Sequence, residues 1–293
     1  MKILLIVPYR GIGDLIFHLP IIRYLKNKYK NKIYLLINPK SKAKEILKNE
    51  KSIKKIIYTR FDRVKLINNS IDLVKKINRI NPNLSILTAP SKRLKIALYL
   101  SNSKNKIYFQ KNTNKDLSKY LAHEGKIRIG MKNFNQNYNL NVINNFKYKK
   151  KYIFLNIDSH HNQNNWGEKN FMLLTKKLID RKYFIFINFS PNNKKFFKKT
   201  LFLFKGKKEV LFTYKKNLTE ILKIILKCNF IVGNESGPIC IGASMKKKII
   251  SLINPSTTYR SSKTIHKKVI FFNTSKFNAK SIEKKILTRL VKK

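Results

Sequence analysis

The sequence predicts an α/β protein made of two doubly wound, parallel-sheet domains in tandem. Three observations lead there. Short apolar runs of strand length alternate with segments of helical periodicity, the pattern of a parallel sheet covered on both faces. The alternation starts afresh near residue 151, after a polar stretch rich in Asn and Lys. At 293 residues the chain is also longer than a single core of roughly 100–200 residues requires. The expected domains are residues 1–147 and 148–293.

The first unit opens with the continuous apolar run KILLIV, a Gly-bearing turn YRGIGD, and a segment in which Leu15, Ile16, Leu19, Ile22 and Leu25 recur at helical spacing. Pro20 is a local irregularity in that helix. Further strands are expected at 32–38, 55–59, 84–88 and 106–109, with helices near 63–80 and 91–101. The stretch 110–150 is polar and weakly periodic, and reads as the end of the first domain and a linker. The second series has strands at 152–157, 183–188, 209–213, 230–232 and 248–253, and a short one at 269–272. Its helices are expected from Glu168 to Arg181, near 193–204, from Leu218 to Lys227 and from Ser236. Ile282, Ile286, Leu287 and Leu290 mark a closing amphipathic helix whose basic face is either solvated or suited to anionic lipid.

Hydrophobic residues make up 43% of the chain, enough for packed cores and too many for wholesale disorder. The charge balance is extreme: 65 Lys and Arg against 14 Asp and Glu, a formal +51, with 55 of the cations being Lys. Lys, Asn and Ile share A/T-rich codons, so base composition explains the excess as readily as a polyanionic partner does. Such a partner would be nucleic acid, anionic headgroups or phosphorylated glycolipid. Nucleic-acid recognition favours the planar fork of Arg over the mobile point charge of Lys. With no RNA-recognition signature or zinc finger in the chain, nucleic acid comes last among the three.

Cys228 and Cys240 are too few for a disulfide framework or a zinc site and suit a reducing compartment, so cytoplasm is the expected location. No run approaches the ~20 apolar residues of a membrane span, which leaves peripheral contact as the only expected relation to a bilayer. No acidic DxD pair and no His, Cys and carboxylate cluster at metal spacing is visible, so neither metal nor cofactor is expected. P-loop, nucleophile-elbow and zinc-protease motifs are absent too.

Ligands of open α/β sheets bind at the carboxyl ends of strands, and two strand-to-helix connections there carry chemistry. In Tyr9-Arg10-Gly11-Ile12-Gly13-Asp14, two glycines allow close backbone approach and Asp14 stands at a helix start. There it serves either as a cap of free N–H groups or as a catalytic carboxylate. Ile16 occupies the position of the third glycine of a dinucleotide fingerprint, which argues against a nicotinamide cofactor. In Val232-Gly233-Asn234-Glu235-Ser236-Gly237-Pro238, free N–H groups at a helix start and the Ser236 hydroxyl suit a diphosphate. Phosphate would repel Glu235, so its carboxylate is expected to accept hydrogen bonds from sugar or ribose hydroxyls. The alternative is a simple capped turn.

At these two connections the sequence resembles glycosyltransferase family 9, the heptosyltransferases of lipopolysaccharide core synthesis. The similarity lies in KILLIVPYRGIGDLIFHLPIIRYLKNKY, in LNIDSHHNQNNWGEKNFMLLTKKL and in LTEILKIILKCNFIVGNESGPICIGASMKKKIISLINPST. The resemblance implies a GT-B fold of two Rossmann-like domains facing a central cleft. It implies an inverting, metal-independent transfer from a nucleotide-diphosphate sugar, ADP-linked heptose by family habit, to an anionic lipid-linked saccharide acceptor. The first domain would meet the acceptor and the second the donor, at the inner face of the inner membrane.

By the same resemblance Asp14 is the general base, with Gly13 beside it, while Ser236 and Gly237 hold donor phosphate. Glu235 stands where the family usually has Asp, and Cys240 where it has His. Asn164 and Asn165 stand where a donor-contacting Lys is usual, a cation whose charge-assisted bonds Asn cannot replace in full. Ser159, His160 and His161 either substitute for it in part or are surface residues. These departures motivate a second reading, a degenerate GT-B protein that binds nucleotide or anionic glycan without turnover.

Overall fold

In a computed structural model, the described residues are 1–61, 66–110, 116–132, 137–141, 151–158, 166–253, 262–267, 269–274 and 278–291. The chain divides into two compact units, Met1–Asn141 and Val142–Lys293.

The first unit carries the strands β1 (Ile3–Val7), β2 (Ile33–Ile37), β3 (Ile53–Tyr58), β4 (Leu84–Leu87) and β5 (Asn105–Tyr108). They form one sheet in the order β3-β2-β1-β4-β5, with every pairing parallel. The helices are α1 (Ile12–Tyr29), the single turn α2 (Ala43–Ile46), α3 (Leu66–Ile80), α4 (Lys92–Tyr99) and α5 (Leu117–Ile129). All five residues of β1 are buried, as a central strand between two helical layers demands. Leu73 and Ile77 of α3 and Leu94 and Leu98 of α4 pack on Leu4, Ile6 and Leu87 of the sheet, while α1 pairs with α5.

Two features depart from the sequence expectation. Helix α1 is buried on nearly every side from Asp14 to Ile22 rather than along one stripe, because α5 covers what would have been its solvent face. The stretch expected to be a linker contains α5 and a segment clamped to α1. Asp116 caps α5 through bonds from the N–H groups of Ser118 and Lys119. The α5 face that is buried includes Ser118, Glu124 and Gly125 beside Leu117, Leu121 and Ile129, and these polar and small residues dilute the apolar period. Arg23 donates to the carbonyls of Asn137 (2.8 Å) and Asn139 (2.6 Å) and to Glu50 (2.7 Å). Tyr138 meets Phe17 edge-on at 5.6 Å.

The second unit carries β6 (Tyr152–Asn156), β7 (Phe184–Asn188), β8 (Val210–Phe212), β9 (Phe230–Asn234), β10 (Lys248–Ile253) and β11 (Ile270–Asn273). These too are parallel, in the order β11-β10-β9-β6-β7-β8. Its helices are α6 (Glu168–Asp180), α7 (Lys194–Leu203), α8 (Leu218–Lys227), α9 (Gly237–Ser244), α10 (Ser262–Ile265) and α11 (Ala279–Val291). One face of the sheet packs Phe171 and Leu174 of α6, Phe196 of α7 and Ile282 and Ile286 of α11 against Leu155, Ile187 and Val232. Alternate residues point the other way, where α9 lies so close that a Cβ on Gly242 would stand 2.2 Å from Ile231 Cδ1.

Strand β9 runs to Asn234, two residues beyond the expected end. Gly233 permits this. It pairs with Ser251 and with Asn156, and a Cβ there would fall 2.1 Å from the Asn156 carbonyl oxygen, a separation no side chain tolerates.

In both sheets the strand order reverses once, between β1 and β4 in the first unit and between β6 and β9 in the second. Such a switch point opens a crevice at the carboxyl ends of the two flanking strands. The Gly11–Asp14 turn follows β1, and Glu235–Ser236 follows β9. Each of the two candidate connections therefore borders the switch point of its own sheet. Among the described residues no helix is long and apolar enough to cross a membrane.

Candidate active site

In the first unit Gly11 is the N-cap of α1, Gly13 its second residue and Asp14 its third. The Asp14 carboxylate turns back to accept the Gly11 N–H at 3.1 Å, the arrangement of a capping carboxylate at a positive helix end. Gly11 makes room for it, since a Cβ there would lie 2.9 Å from Asp14 Oδ2. Asp14 is buried.

Beneath it sits His18, also fully buried. Its Nδ1 lies 2.6 Å from the Asp14 carbonyl oxygen and its Nε2 3.0 Å from Thr88 Oγ1, which donates to the Ile6 carbonyl. Tyr9 tilts over the His18 ring at 5.4 Å. Thr88 follows β4, so this cluster bridges the two strands of the switch point. His18 and Thr88 were not singled out from the sequence. A histidine one turn after Asp14 was the available signal, but its partner lies 70 residues away.

In the second unit Ser236 is the N-cap of α9, with Gly237 and Pro238 as the first helical residues. Pro has no N–H, so Gly237 and Ile239 supply the backbone donors of this turn. The Ser236 hydroxyl does not cap the helix; its oxygen accepts from Asn156 Nδ2 at 2.8 Å. Asn156 also donates to the Asn234 carbonyl (2.9 Å) and accepts from Asn188 Nδ2 (2.8 Å). Asn188 Oδ1 in turn accepts from Thr213 Oγ1 at 2.7 Å.

A chain of side-chain hydrogen bonds thus runs along the carboxyl ends of β8, β7 and β6 to the Glu235–Ser236 connection after β9. Asn234, buried, accepts from the Trp166 N–H (3.1 Å) and donates to the Ile157 carbonyl (2.6 Å). Asp158 accepts from the Ser190 N–H (2.5 Å) and Asn193 Nδ2 (2.7 Å), fixing the connection after β7. The sequence carried a signal for this network: β6, β7 and β9 each end in Asn.

Glu235 is half-buried, and its two oxygens receive several donors of this chain. The Ser262 N–H reaches Oε1 at 2.6 Å, the Ser262 hydroxyl reaches Oε2 at 2.9 Å, and the Ser251 hydroxyl also donates to Oε2. Cys240 Sγ stands 4.0 Å from Oε1. Desolvation raises the Glu235 carboxyl above its ordinary value despite those hydrogen bonds. Ser159, His160 and Asn164, like His161 and Asn165, lie outside the described residues. The neighbouring Trp166 is buried, and its indole N–H meets no acceptor among the described residues. Among those residues no group of three or more His, Cys, Asp or Glu side chains is arranged to hold a metal ion.

Comparison with known proteins identifies the fold and the family. The fold is GT-B, two doubly wound units in one chain. It is similar to a family 9 glycosyltransferase from Veillonella parvula, with TM-score 0.76 and 15% identity over 97% of this chain and 88% of that one. It is similar to the ADP-heptose lipopolysaccharide heptosyltransferase II of E. coli, with TM-score 0.76 and 14% identity over 98% of each chain. It is also similar to E. coli heptosyltransferase WaaC solved with ADP-2-deoxy-2-fluoro heptose, with TM-score 0.68 and 13% identity over 99% and 100%. Among curated proteins none matches the sequence. Residues 98–290 match the family described as Glycosyltransferase family 9 (heptosyltransferase), a span that includes Ser236 and leaves Asp14 outside. The chain therefore belongs to glycosyltransferase family 9, the heptosyltransferase family, and is a glycosyltransferase.

Proposed function

We propose that this enzyme is an inverting, metal-independent transferase that moves a heptose from an ADP-linked donor to an anionic, lipid-linked saccharide of the lipopolysaccharide-core type. The observation that carries the proposal is the placement of both candidate connections at the switch points of their sheets, each with a role suited to its chemistry. The α9 start, floored by the Asn156–Ser236 bond, presents backbone donors to a diphosphate. Asp14 presents a carboxylate at the positive start of α1. WaaC, similar in fold, was solved with ADP and with an ADP-linked sugar, which supports an ADP-linked donor here.

In the proposed reaction Asp14 takes the proton of an acceptor hydroxyl as that oxygen attacks the anomeric carbon. The bond from that carbon to the diphosphate oxygen breaks, and its electron pair leaves with the nucleoside diphosphate. One displacement inverts the anomeric configuration. Gly13 keeps the backbone beside Asp14 open to the acceptor. Ser236 and Gly237 hold the departing phosphates, and Ser159, His160 and Asn164 are assigned to donor binding as well. Glu235 shapes the donor connection by fixing it to β10 and α10. A groove of about 720 Å³ beside the ends of β4 and β5, lined in part by Lys92, Lys95 and Lys106, suits the negative charge of the acceptor.

The test is calorimetry with a panel of nucleotide sugars, followed by measurement of nucleoside diphosphate release with truncated lipopolysaccharide as acceptor. Release with ADP-heptose and acceptor together supports the proposal. Binding without release from any pair would leave the chain a binding protein, the reading motivated by the missing Lys at Asn164 and Asn165 and by Glu235 and Cys240.

A further inference from the structure

The last turn of α7 departs from what a soluble helix normally shows. Leu201, Phe202 and Leu203 are consecutive, and all are exposed, Phe202 to 83%. Three consecutive helical residues sweep about 200° of circumference, so this turn projects from the sheet rather than lying on it. It is anchored from both sides, by buried Phe196 and Thr200 before it and buried Phe204 after it. Phe196 packs edge-on to Phe189 at 5.6 Å, and Phe197 stacks on Tyr214 at 4.3 Å. The helix is therefore held firmly while its apolar end faces water.

Along α7 and in the turn behind it lie Lys194, Lys195, Lys198, Lys199, Lys205, Lys207 and Lys208, every one exposed, and the first acid after them is Glu209. Gly206, at φ +77°, turns the chain directly behind the helix, which keeps the last three of these lysines close to the apolar turn.

We propose that the end of α7 and the turn behind it form a docking surface for an anionic lipid bilayer, with Phe202 and its two leucines entering the acyl boundary and the lysines contacting headgroup phosphates. Large apolar side chains flanked by lysines are the pattern of an interfacial anchor. Charge complementarity selects this occupant. A second copy of the chain would bring the same seven lysines and another formal +51 against the patch. Nucleic acid would satisfy the lysines but leave two leucines, which do not stack on bases, in water.

The geometry within the unit is also suitable. The α7 end lies at the amino-terminal side of the sheet, where β8 begins, and the Glu235–Ser236 connection lies at the carboxyl side. Lipid contact therefore leaves the donor connection open. The proposal goes beyond glycosyl transfer and does not depend on it, because the test reads binding without turnover.

The experiment uses the full chain with phosphatidylcholine vesicles, with and without phosphatidylglycerol. Wild type is expected to co-sediment only with the anionic vesicles and to release as salt rises. The triple variant Leu201→Ser, Phe202→Ser, Leu203→Ser keeps all seven lysines, and its affinity is expected to fall at least about tenfold. A Phe202→Trp reporter is expected to shift to the blue and to be quenched by brominated lipid, over a constant background from buried Trp166. A Leu173→Trp reporter on α6, 52% exposed one turn from the exposed Lys169, Lys176 and Lys177, controls for adsorption through general positive charge, and is expected to stay unquenched. Undiminished vesicle binding by the triple variant would overturn the proposal. So would quenching of the Leu173→Trp reporter in place of the Phe202→Trp reporter, or a solution dimer of wild type that the triple variant abolishes. Loss of oligonucleotide binding in the triple variant with vesicle binding retained would transfer the surface to nucleic acid. Should the triple variant fail to fold, the Phe202→Trp reporter decides alone.

Discussion

Replacing Asp14 by Asn separates the two jobs its carboxylate can perform. Its Oδ2 accepts the Gly11 N–H at 3.1 Å, and an amide oxygen of the same shape keeps that bond. The helix then loses a negative charge in its first turn, about 0.3–1 kcal/mol. For a unit spanning Met1–Asn141 this lowers Tm by about 4 °C at most. Loss of a general base costs far more, about 10²–10⁴-fold in turnover. At 1.36 kcal/mol per decade that is about 2.7–5.4 kcal/mol of barrier. The assay is nucleoside diphosphate release at saturating donor and acceptor, with donor Kd by calorimetry and Tm on the same preparations. Asp14→Asn should lose turnover with Kd and Tm nearly unchanged. Asp14→Ala also removes the acceptor of the Gly11 N–H, so it should lower stability by about 1 kcal/mol more without a comparable further loss of rate. Wild-type turnover in Asp14→Asn would reduce Asp14 to a cap and refute its catalytic role.

Four further outcomes are expected. Gly233→Ala, whose Cβ meets the Asn156 carbonyl at 2.1 Å, should destabilise the second unit by roughly 2–3 kcal/mol and weaken donor binding, as read by denaturant melts and calorimetry. Asn156→Ala strands Asn188 Nδ2 and removes the donor to Ser236, and should cost about 2–4 kcal/mol of stability with a weakened donor Kd. The Glu235 carboxyl is raised above its ordinary 4.5 in the fold, so the folded state binds more protons there than the unfolded chain. Stability from this group is then fully present below that value and is lost as pH rises through the raised one; in Glu235→Gln the corresponding fall in Tm should disappear. Lys92→Ala with Lys95→Ala should raise acceptor KM about fivefold to tenfold at low salt with kcat unchanged, and the difference should shrink as salt is added.

Much of the architecture is legible because it rests on local pattern. Runs such as KILLIV and YIFLNI show their strands, and the glycines of RGIGD and the Ser-Gly-Pro of the second connection mark where helices begin. The order of strands is not written locally, so the switch points that give those connections their meaning emerge only in three dimensions. Helix α5 was hidden by Ser118, Glu124 and Gly125 on its inner face, which break the apolar period. Gly233 and Asn234 read as loop because Gly and Asn favour turns, yet close approach to Asn156 keeps them in β9. The partners of Glu235 lie 16 and 27 residues downstream, Thr88 lies 70 residues from His18, and Asn234 lies 78 from Asn156. Spacing along the chain conveys nothing about contacts of that kind.

Glu235 also bears on how this region tolerates change. Its one carboxylate holds Ser251 in β10 and Ser262 at the start of α10, so the stretch between them is closed at both ends on a single side chain. The entropy of closing such a stretch grows only with the logarithm of its length, by roughly 0.6 kcal/mol per doubling. Closure entropy alone therefore penalises a change of length between Ile253 and Ser262 only weakly. Selection against change would fall instead on Glu235 and on the two serines it joins.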